Sequence, residues 1–296
     1  MVNSQGKQTI TAHVLVKNED KYLWFAIMSV IDYMDKMIIF DTGSEDNTIR
    51  IVKGIMASNP EYNEKIHFEE KGNADKKRIG KLRQEMIDIT DTDYFFLLDG
   101  DEIWWGDSIR ELVRIVQENK PLLVAQHFIN CAKDIKHYRE PWRDAYPQLD
   151  KKAAASLRLY SMHIPGIHCE GDYGIEGFWD TNKQEVHAGQ YKIIWQNGSY
   201  FHASKLRRSS KEMANNKVYF RFLKSFYAYD RCFAADFKYP EVFYMHHPTY
   251  IESPFYESMF SLRNLIYFLL DDLKLRALLN LLKQALIKMK MLRTNG

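Results

Sequence analysis

The chain has 296 residues, a length for one or two domains; with 46% hydrophobic and 14% aromatic residues, low-complexity disorder is excluded. Forty-one basic residues against 39 acidic leave a formal charge of +2, so no global field for a polyanion such as nucleic acid is expected. Three scattered cysteines, Cys131, Cys169 and Cys232, make neither a disulfide framework nor a zinc cage and suit a reducing compartment.

The N-terminal MVNSQGKQTI lacks the apolar stretch of a secretory signal, and no uncharged apolar run approaches the roughly eighteen residues of a membrane span. A cytoplasmic protein is expected, with contact at the membrane surface left to the C-terminal segment. Ile10–Val16 is a β-branched run and reads as a strand. Asn18 follows as an N-cap for a helix that buries Leu23, Ile27, Val30, Ile31 and Met34. Met37–Phe40 is a wholly apolar second strand, as in a sheet covered on both faces. The polar turn Asp41–Thr48 enters a helix with Ile49, Val52, Ile55 and Met56 inside. Ile66 and Phe68 mark a third strand, residues 75–90 a helix, and Tyr94–Leu98 a fourth strand. Strands alternating with helices predict a mostly parallel, Rossmann-like α/β sheet. Beyond Asp101 the pattern loosens: a helix over Ser108–Glu118, a strand over Leu122–Phe128, a loop from Asn130 to Asp150, and strands near Ser156–Tyr160 and Tyr191–Gln196. Prolines 240, 248 and 254 separate this body, residues 1–240, from a helical segment, 241–296.

Chemistry concentrates where strands end. Asp99-Gly100-Asp101-Glu102 directly follows the fourth strand. Carboxylates at the carboxyl end of a parallel strand face the crevice where open α/β sheets bind ligands. Two of them, two residues apart, can share a hard divalent cation; an ordinary acidic turn is the competing explanation. Asp41-Thr42-Gly43-Ser44 ends the second strand and Lys17-Asn18-Glu19 the first, so three strand ends deliver polar groups to one edge.

Together, Val16-Lys17-Asn18-Glu19, Ile39-Phe40-Asp41-Thr42-Gly43-Ser44 with Asp46-Asn47-Thr48, and Arg83 ahead of Phe96–Glu102 resemble the nucleotide-sugar-binding half of family 2 glycosyltransferases. The resemblance is close over residues 8–105 and looser to about 210. It implies a glycosyltransferase-A fold whose 1–105 half holds the donor and whose 106–240 half faces the acceptor. It implies that Lys17, Asn18, Glu19 and Asp41 hold the base and ribose of a UDP- or GDP-sugar, and that Arg83 secures the ribose-diphosphate region. Asp99 would contact ribose or metal, and Asp101 would ligate Mn²⁺ or Mg²⁺. Gln84, where Asn is commoner, and the added charge of Lys76-Lys77-Arg78 depart from the pattern and leave base and sugar open.

Transfer to a sugar hydroxyl also needs a base. The stretch Gly166–Gly174 is dense in glycine and carboxylate and resembles the family's His-Glu segment, which implies Glu170 as base, then Asp172, then Glu176. His202 is implied as the third metal ligand. The basic run after it supplies Lys205, Arg207 and Arg208 for the diphosphate. Trp104, Trp105, Trp142, Trp179 and Trp195 are either sugar-stacking platforms or core.

The C-terminal helix stripes Leu275, Leu278, Leu279, Leu282, Leu286 and Met289 along one face. Residues 274–296 hold six basic side chains and no acid, which leaves residues 1–273 at −4. Such a helix suits an anionic membrane surface, or packs on its own body or a second subunit. The expected activity is metal-dependent transfer of a sugar to the hydroxyl of a glycan or lipid-linked acceptor, with inversion implied by the family and a place in cell-surface glycan or glycolipid synthesis. The alternatives are a non-catalytic nucleotide-sugar-binding protein and, behind it, an Asp-x-Asp phosphohydrolase.

Overall fold

The computed structural model describes residues 6–132, 134–139, 155–188, 190–211 and 230–256. Strand and helix alternate first: β1 (Ile10–Val16), α1 (Leu23–Val30), β2 (Lys36–Asp41), α2 (Thr48–Ser58), α3 (Pro60–Lys65), β3 (Ile66–Glu70), α4 (Lys76–Asp88) and β4 (Tyr94–Leu97). Then come β5 (Glu102–Trp104), α5 (Gly106–Asn119), β6 (Leu123–Ala132), β7 (Asp134–Arg139), β8 (Ala155–Ser161), β9 (His168–Glu170), β10 (Gly177–Trp179), β11 (Ile193–His202) and β12 (Asp230–Cys232).

Ten strands form one sheet in the order β12-β7-β6-β8-β4-β1-β2-β3, with β11 beside β6 and β5 beside β11; β9 and β10 make a separate ribbon. Pairing is parallel for β1 with β2 and β4, for β2 with β3, and for β6 with β11. β8 runs against both β4 and β6, β7 against β6 and β12, and β5 against β11. Seven strands (β1, β2, β3, β4, β6, β11 and β12) therefore point the same way, and the expected mostly parallel α/β sheet is present. The carboxyl ends of β1, β2, β4, β6 and β11 share one edge, to which antiparallel β8 contributes its amino end.

The central strands are buried along nearly their whole length, which explains their continuous apolar runs. α1 is more deeply sunk than a single apolar stripe requires, with seven of its eight residues buried. Its start differs from expectation. Tyr22, not Asn18, precedes the first turn, and Asn18 takes a left-handed conformation with φ 55°. There its N–H donates to Ser44 Oγ at 2.8 Å and its Oδ1 accepts from the Glu45 N–H at 2.8 Å. Asn18 thus joins two loops instead of capping a helix. In α2 the buried positions are Thr48, Ile51, Val52 and Ile55; Met56 is half-buried against the core as expected, and Ile51 takes the place expected of Ile49.

The expected loop from Asn130 is also corrected. β6 continues to Ala132 and returns as β7, because Cys131 and Ile135 bury fully against the main core. The core runs on through Val242, Phe243 and Ile251, so the described start of the 241–296 segment packs with the body. The striped C-terminal helix lies outside the described residues.

Candidate active site

The Asp99–Glu102 turn leaves β4 at the shared edge. An ordinary acidic turn would lie on the surface, but Asp101 is only 2% exposed and Glu102 is fully buried. Two backbone bonds fix the turn: the Glu102 N–H donates to the Asp99 carbonyl at 3.1 Å, and the Ala203 N–H to the Asp101 carbonyl at 2.8 Å. The second bond joins β4's end to β11's end. His202 therefore lies beside the turn, with Nε2 at 3.5 Å from Asp101 Oδ1.

Charge around this turn is closely matched. Arg208 Nη1 lies 2.9 Å from Glu19 Oε1 and 3.6 Å from Asp101 Oδ2. Arg158, on β8, pairs with Glu102 and reaches Asp99 Oδ2 at 3.4 Å, while its Nε donates to Tyr200 Oη at 3.2 Å. Arg83, on α4, spans from Asp99 Oδ1 at 3.7 Å to Glu176 Oε1 at 3.8 Å. Burial opposes ionisation of Asp101, but the attraction and hydrogen bond of His202, then Arg208 and Arg158, outweigh it and hold the carboxyl at about 2. For His202, burial acts downward and Asp101 more than reverses it, so the imidazole is raised. Burial pushes Glu102 up to about 7 against the pull of Arg158, with Asp99 and Asp101 adding repulsion.

The Asp41 loop is built differently. Asp41 Oδ1 accepts from the N–H groups of Gly43 at 2.9 Å and Ser44 at 2.8 Å, an Asx-type turn. Gly43 has φ 89°, and a Cβ there would come within 2.9 Å of Asn73 Cα, so only glycine closes the turn. Asp41 Oδ2 is buried and has no hydrogen-bond partner among the described residues. A buried carboxylate oxygen without a donor is costly, and a ligand hydroxyl or N–H would relieve it. Lys17 reaches across to Asn73 Oδ1.

The basic run after β11 divides. Arg208 enters the carboxylate cluster, whereas Arg207 donates to the carbonyls of Ser209 and Ser210 and braces its own loop. Lys205 is exposed. Ser209 and Ser210 in turn bond Asp46 and Asp20, which pins this segment onto the β1 and β2 loops.

The acids of the 166–177 stretch stand apart. Glu170 ends β9 with 65% of its side chain exposed, 3.2 Å from His168 Nε2. Asp172 is exposed, and Glu176 is the acid tied to Arg83. Cys169 faces the core, where burial pushes its thiol up to about 11, so it offers no ready thiolate. The loop is docked on α4: the Cys169 N–H donates to Gln84 Oε1 at 2.7 Å and the Tyr173 N–H to the Lys76 carbonyl at 2.9 Å. A Cβ at Gly80 would collide with the Gly171 carbonyl, so helix and loop meet backbone to backbone. Gln84, a departure from the family pattern, here serves as the loop's acceptor. Trp104 is wholly buried, Trp105 donates to the Lys238 carbonyl at 3.0 Å, and Trp142 lies outside the described residues.

The sequence model for glycosyl transferase family 2 matches residues 11–171, more than half of the chain and every strand end described above as far as Gly171. The chain belongs to that family. The sheet is accordingly of the glycosyltransferase-A type, and sugar transfer is the family's chemistry. No curated protein sequence matches significantly. Among solved structures, the chain is similar to S. aureus TarS residues 1–349, at 12% identity over 74% of this chain and 72% of that one, with TM-score 0.43. The same protein in complex with UDP aligns at 15% identity over 42% of this chain and 36% of that one, with TM-score 0.35, so the match spans about a third of its length. The mannosyltransferase PcManGT from Pyrobaculum calidifontis, in complex with GDP-Man and Mn²⁺, aligns at 14% identity over 42% and 36%, with TM-score 0.36.

Arg158 and Asp20 enter the strand-end site or its support without having been singled out by sequence, and Glu102 and Asp46, quoted within motifs, had been given no role. Arg158 left one trace: a lone arginine within the otherwise apolar and hydroxylic run Ala155–Ser161 needs a buried anion.

Proposed function

We propose that the protein transfers a sugar from a UDP- or GDP-sugar to an acceptor hydroxyl, with a divalent metal and with inversion at the anomeric carbon. The observation that carries this is the Asp99–Glu102 turn at the sheet's carboxyl edge, with Asp101 and Glu102 buried and Asp99 half-exposed among His202, Arg83, Arg158 and Arg208.

Among the described residues no three carboxylate, imidazole or thiol groups are already gathered as a metal cluster; Asp99, Asp101 and His202 would hold Mn²⁺ or Mg²⁺ once Asp99 turns from Arg83 and Arg158. Two hard carboxylate donors and one imidazole suit such an ion; His202 Nδ1 has no partner among the described residues, and Nε2 faces Asp101. Bound there, the ion supplies neutralisation of charge on the departing diphosphate. The protein's own groups do the rest. Asp41 Oδ2 accepts from ribose or base, with Lys17, Asn18 and Glu19 shaping the adjoining wall. Arg83 and Arg208 turn from Asp99 and Asp101 toward phosphate oxygens as the ligand enters. Lys205 extends that basic side, and Arg207 acts through the loop it braces. Glu170 takes the proton of the acceptor hydroxyl, with Asp172 next in line and Glu176 third. The acceptor is a glycan or lipid-linked hydroxyl. No described helix is long and apolar enough to cross a membrane.

The test is release of nucleoside diphosphate from a panel of UDP- and GDP-sugars. Turnover of one donor in Mn²⁺, abolished by chelator and restored by added Mn²⁺, is the expected result. Turnover indifferent to chelator would refute the metal assignment, and no turnover of any donor would refute the donor class.

A further inference from the structure

Four cations are grouped within the first six residues of α4. Lys76, Lys77, Arg78 and Lys81 are all exposed, and among the described residues none of them has an ion-pair or hydrogen-bonding side-chain partner. Some exposed lysines elsewhere pair with acids, Lys7 with Asp35, Lys36 with Asp91 and Lys53 with Glu70. Lys120, Lys183, Lys192 and Lys238 stand singly among the described residues, so what distinguishes α4 is that its cations are grouped. The arrangement also opposes helix electrostatics. The first turn of α4 carries no acid, and its acids, Glu85 and Asp88, come in the second half. Positive charge near a helix N-terminus is unfavourable, as are like charges four residues apart such as Lys77 and Lys81. One acid stands at that end, the N-cap Asp75, which accepts from the Arg78 N–H at 2.9 Å and leaves the four cationic side chains themselves unpaired among the described residues.

Lys77 and Lys81 are also walls of a groove. With Gly80 and Gln84 they form one side of a cleft of about 350 Å³, whose other side is Cys169–Asp172. The groove is held open by the docking of loop on helix described above, so it is preformed. One wall is cationic; the other carries Glu170 and Asp172, the acids placed to deprotonate an acceptor. Tyr173 projects from the same loop with 59% exposure, its N–H tied to Lys76, and offers a flat face for a sugar ring.

We propose that this groove binds the acceptor, and that the acceptor is a phosphate-bearing sugar whose anion is held by Lys77 and Lys81. The hydroxyl to be glycosylated then lies toward Glu170 and the phosphate toward α4. This rests on the sugar-transfer reading above for the word acceptor, while the groove's preference for an anion stands on its own residues.

Calorimetric titration of the full chain tests it, with glucose 6-phosphate as probe, glucose as neutral control, and UDP with Mn²⁺ as the donor-side control. The wild type should bind glucose 6-phosphate at least tenfold more tightly than glucose. K77Q/K81Q, on an exposed helix face, should lose at least tenfold toward glucose 6-phosphate and bind UDP unchanged. Equal affinity for the two sugars, or an unaffected variant, would overturn the proposal. A matching loss of UDP affinity would also overturn it, by assigning the lysines to the donor. So would binding to phosphatidylglycerol vesicles that depends on Lys77 and Lys81 without sugar-phosphate binding. Failure of UDP and GDP to bind the wild type, with the glucose 6-phosphate result intact, would remove the donor reading and uphold the groove as a sugar-phosphate site.

Discussion

The strand-end edge and the 166–177 loop both present carboxylates, but they hold them in opposite ways. Asp101 and Glu102 are buried, and each is matched to a cation from a distant element: His202 from β11, Arg208 from the segment after it, Arg158 from β8. Glu170 and Asp172 are exposed on a loop held to α4 through backbone contacts, and their side chains are left out of that docking. The first arrangement suits groups that hold fixed charge in a defined place. The second suits a group that must take a proton from an incoming hydroxyl. The contrast teaches that removing a strand-end charge should damage both fold and activity, whereas removing a loop acid should damage activity alone.

The largest expected effect comes from separating a buried pair. Arg158→Met leaves Glu102 buried without its cation. Because burial already lifts that carboxyl to about 7, the loss of about 3–5 kcal/mol of unfolding free energy should appear above pH 7 and shrink below it as Glu102 takes up a proton, measured by denaturant titration. A loss below about 1 kcal/mol would show that the strand-end pairing is not structural. Asp101→Asn keeps the volume but removes the charge. It should lower Mn²⁺-dependent turnover on the order of 10³-fold, taking the metal's share as several kcal/mol at 1.36 kcal/mol per tenfold. Glu170→Gln should lower turnover by about 10²-fold or more with nucleotide affinity and melting temperature unchanged. If Glu170→Gln is silent and Asp172→Asn is not, the base is Asp172, and Glu176→Gln tests the third choice.

The smallest effect concerns the frame beneath the edge. His13, in β1, is fully buried, stacked on Phe95 at a centroid distance of 4.9 Å, with Nε2 2.7 Å from Thr90 Oγ1. Burial, with Arg83 adding repulsion, lowers its pKa to about 3. A folded-state pKa below the unfolded value means that the neutral form stabilises above pH 6.5 and that this contribution is lost as pH falls toward 3. The slope is about 1.4 kcal/mol per pH unit. His13→Phe should be flatter than wild type by that amount between pH 6 and 4 in denaturant titrations; equal slopes would contradict the assignment.

Much of the donor-side fold was legible in sequence because parallel strands covered on both faces must be apolar runs, and those runs end at Asp41 and Asp99. Local turn chemistry was legible too, since Asp41-Thr42-Gly43 can hardly be other than a turn. What sequence hid was long-range pairing. Nothing local to Arg158 says that its partner lies 56 positions away in Glu102. Asn18 misled because the residue types that cap helices also adopt left-handed loop conformations. The burial of Asp101 was not legible because a short acidic turn is ordinarily exposed; it follows from β11 closing over it, a strand whose sequence pattern ends six residues early at Gln196. The loop acids were legible as a group but not ranked, because three carboxylates within seven residues differ only in what they face.

Thermal unfolding of wild type and Asp101→Asn with UDP- and GDP-sugars, in Mn²⁺ and in chelator, tests the central claim most directly. Binding to the folded state raises the melting temperature by mass action. One donor should raise that of the wild type by several degrees in Mn²⁺, corresponding to about 2.7 kcal/mol at a hundredfold excess over Kd, and much less in chelator or in Asp101→Asn. Stabilisation of Asp101→Asn equal to that of wild type, or none by any donor in Mn²⁺, would contradict the account.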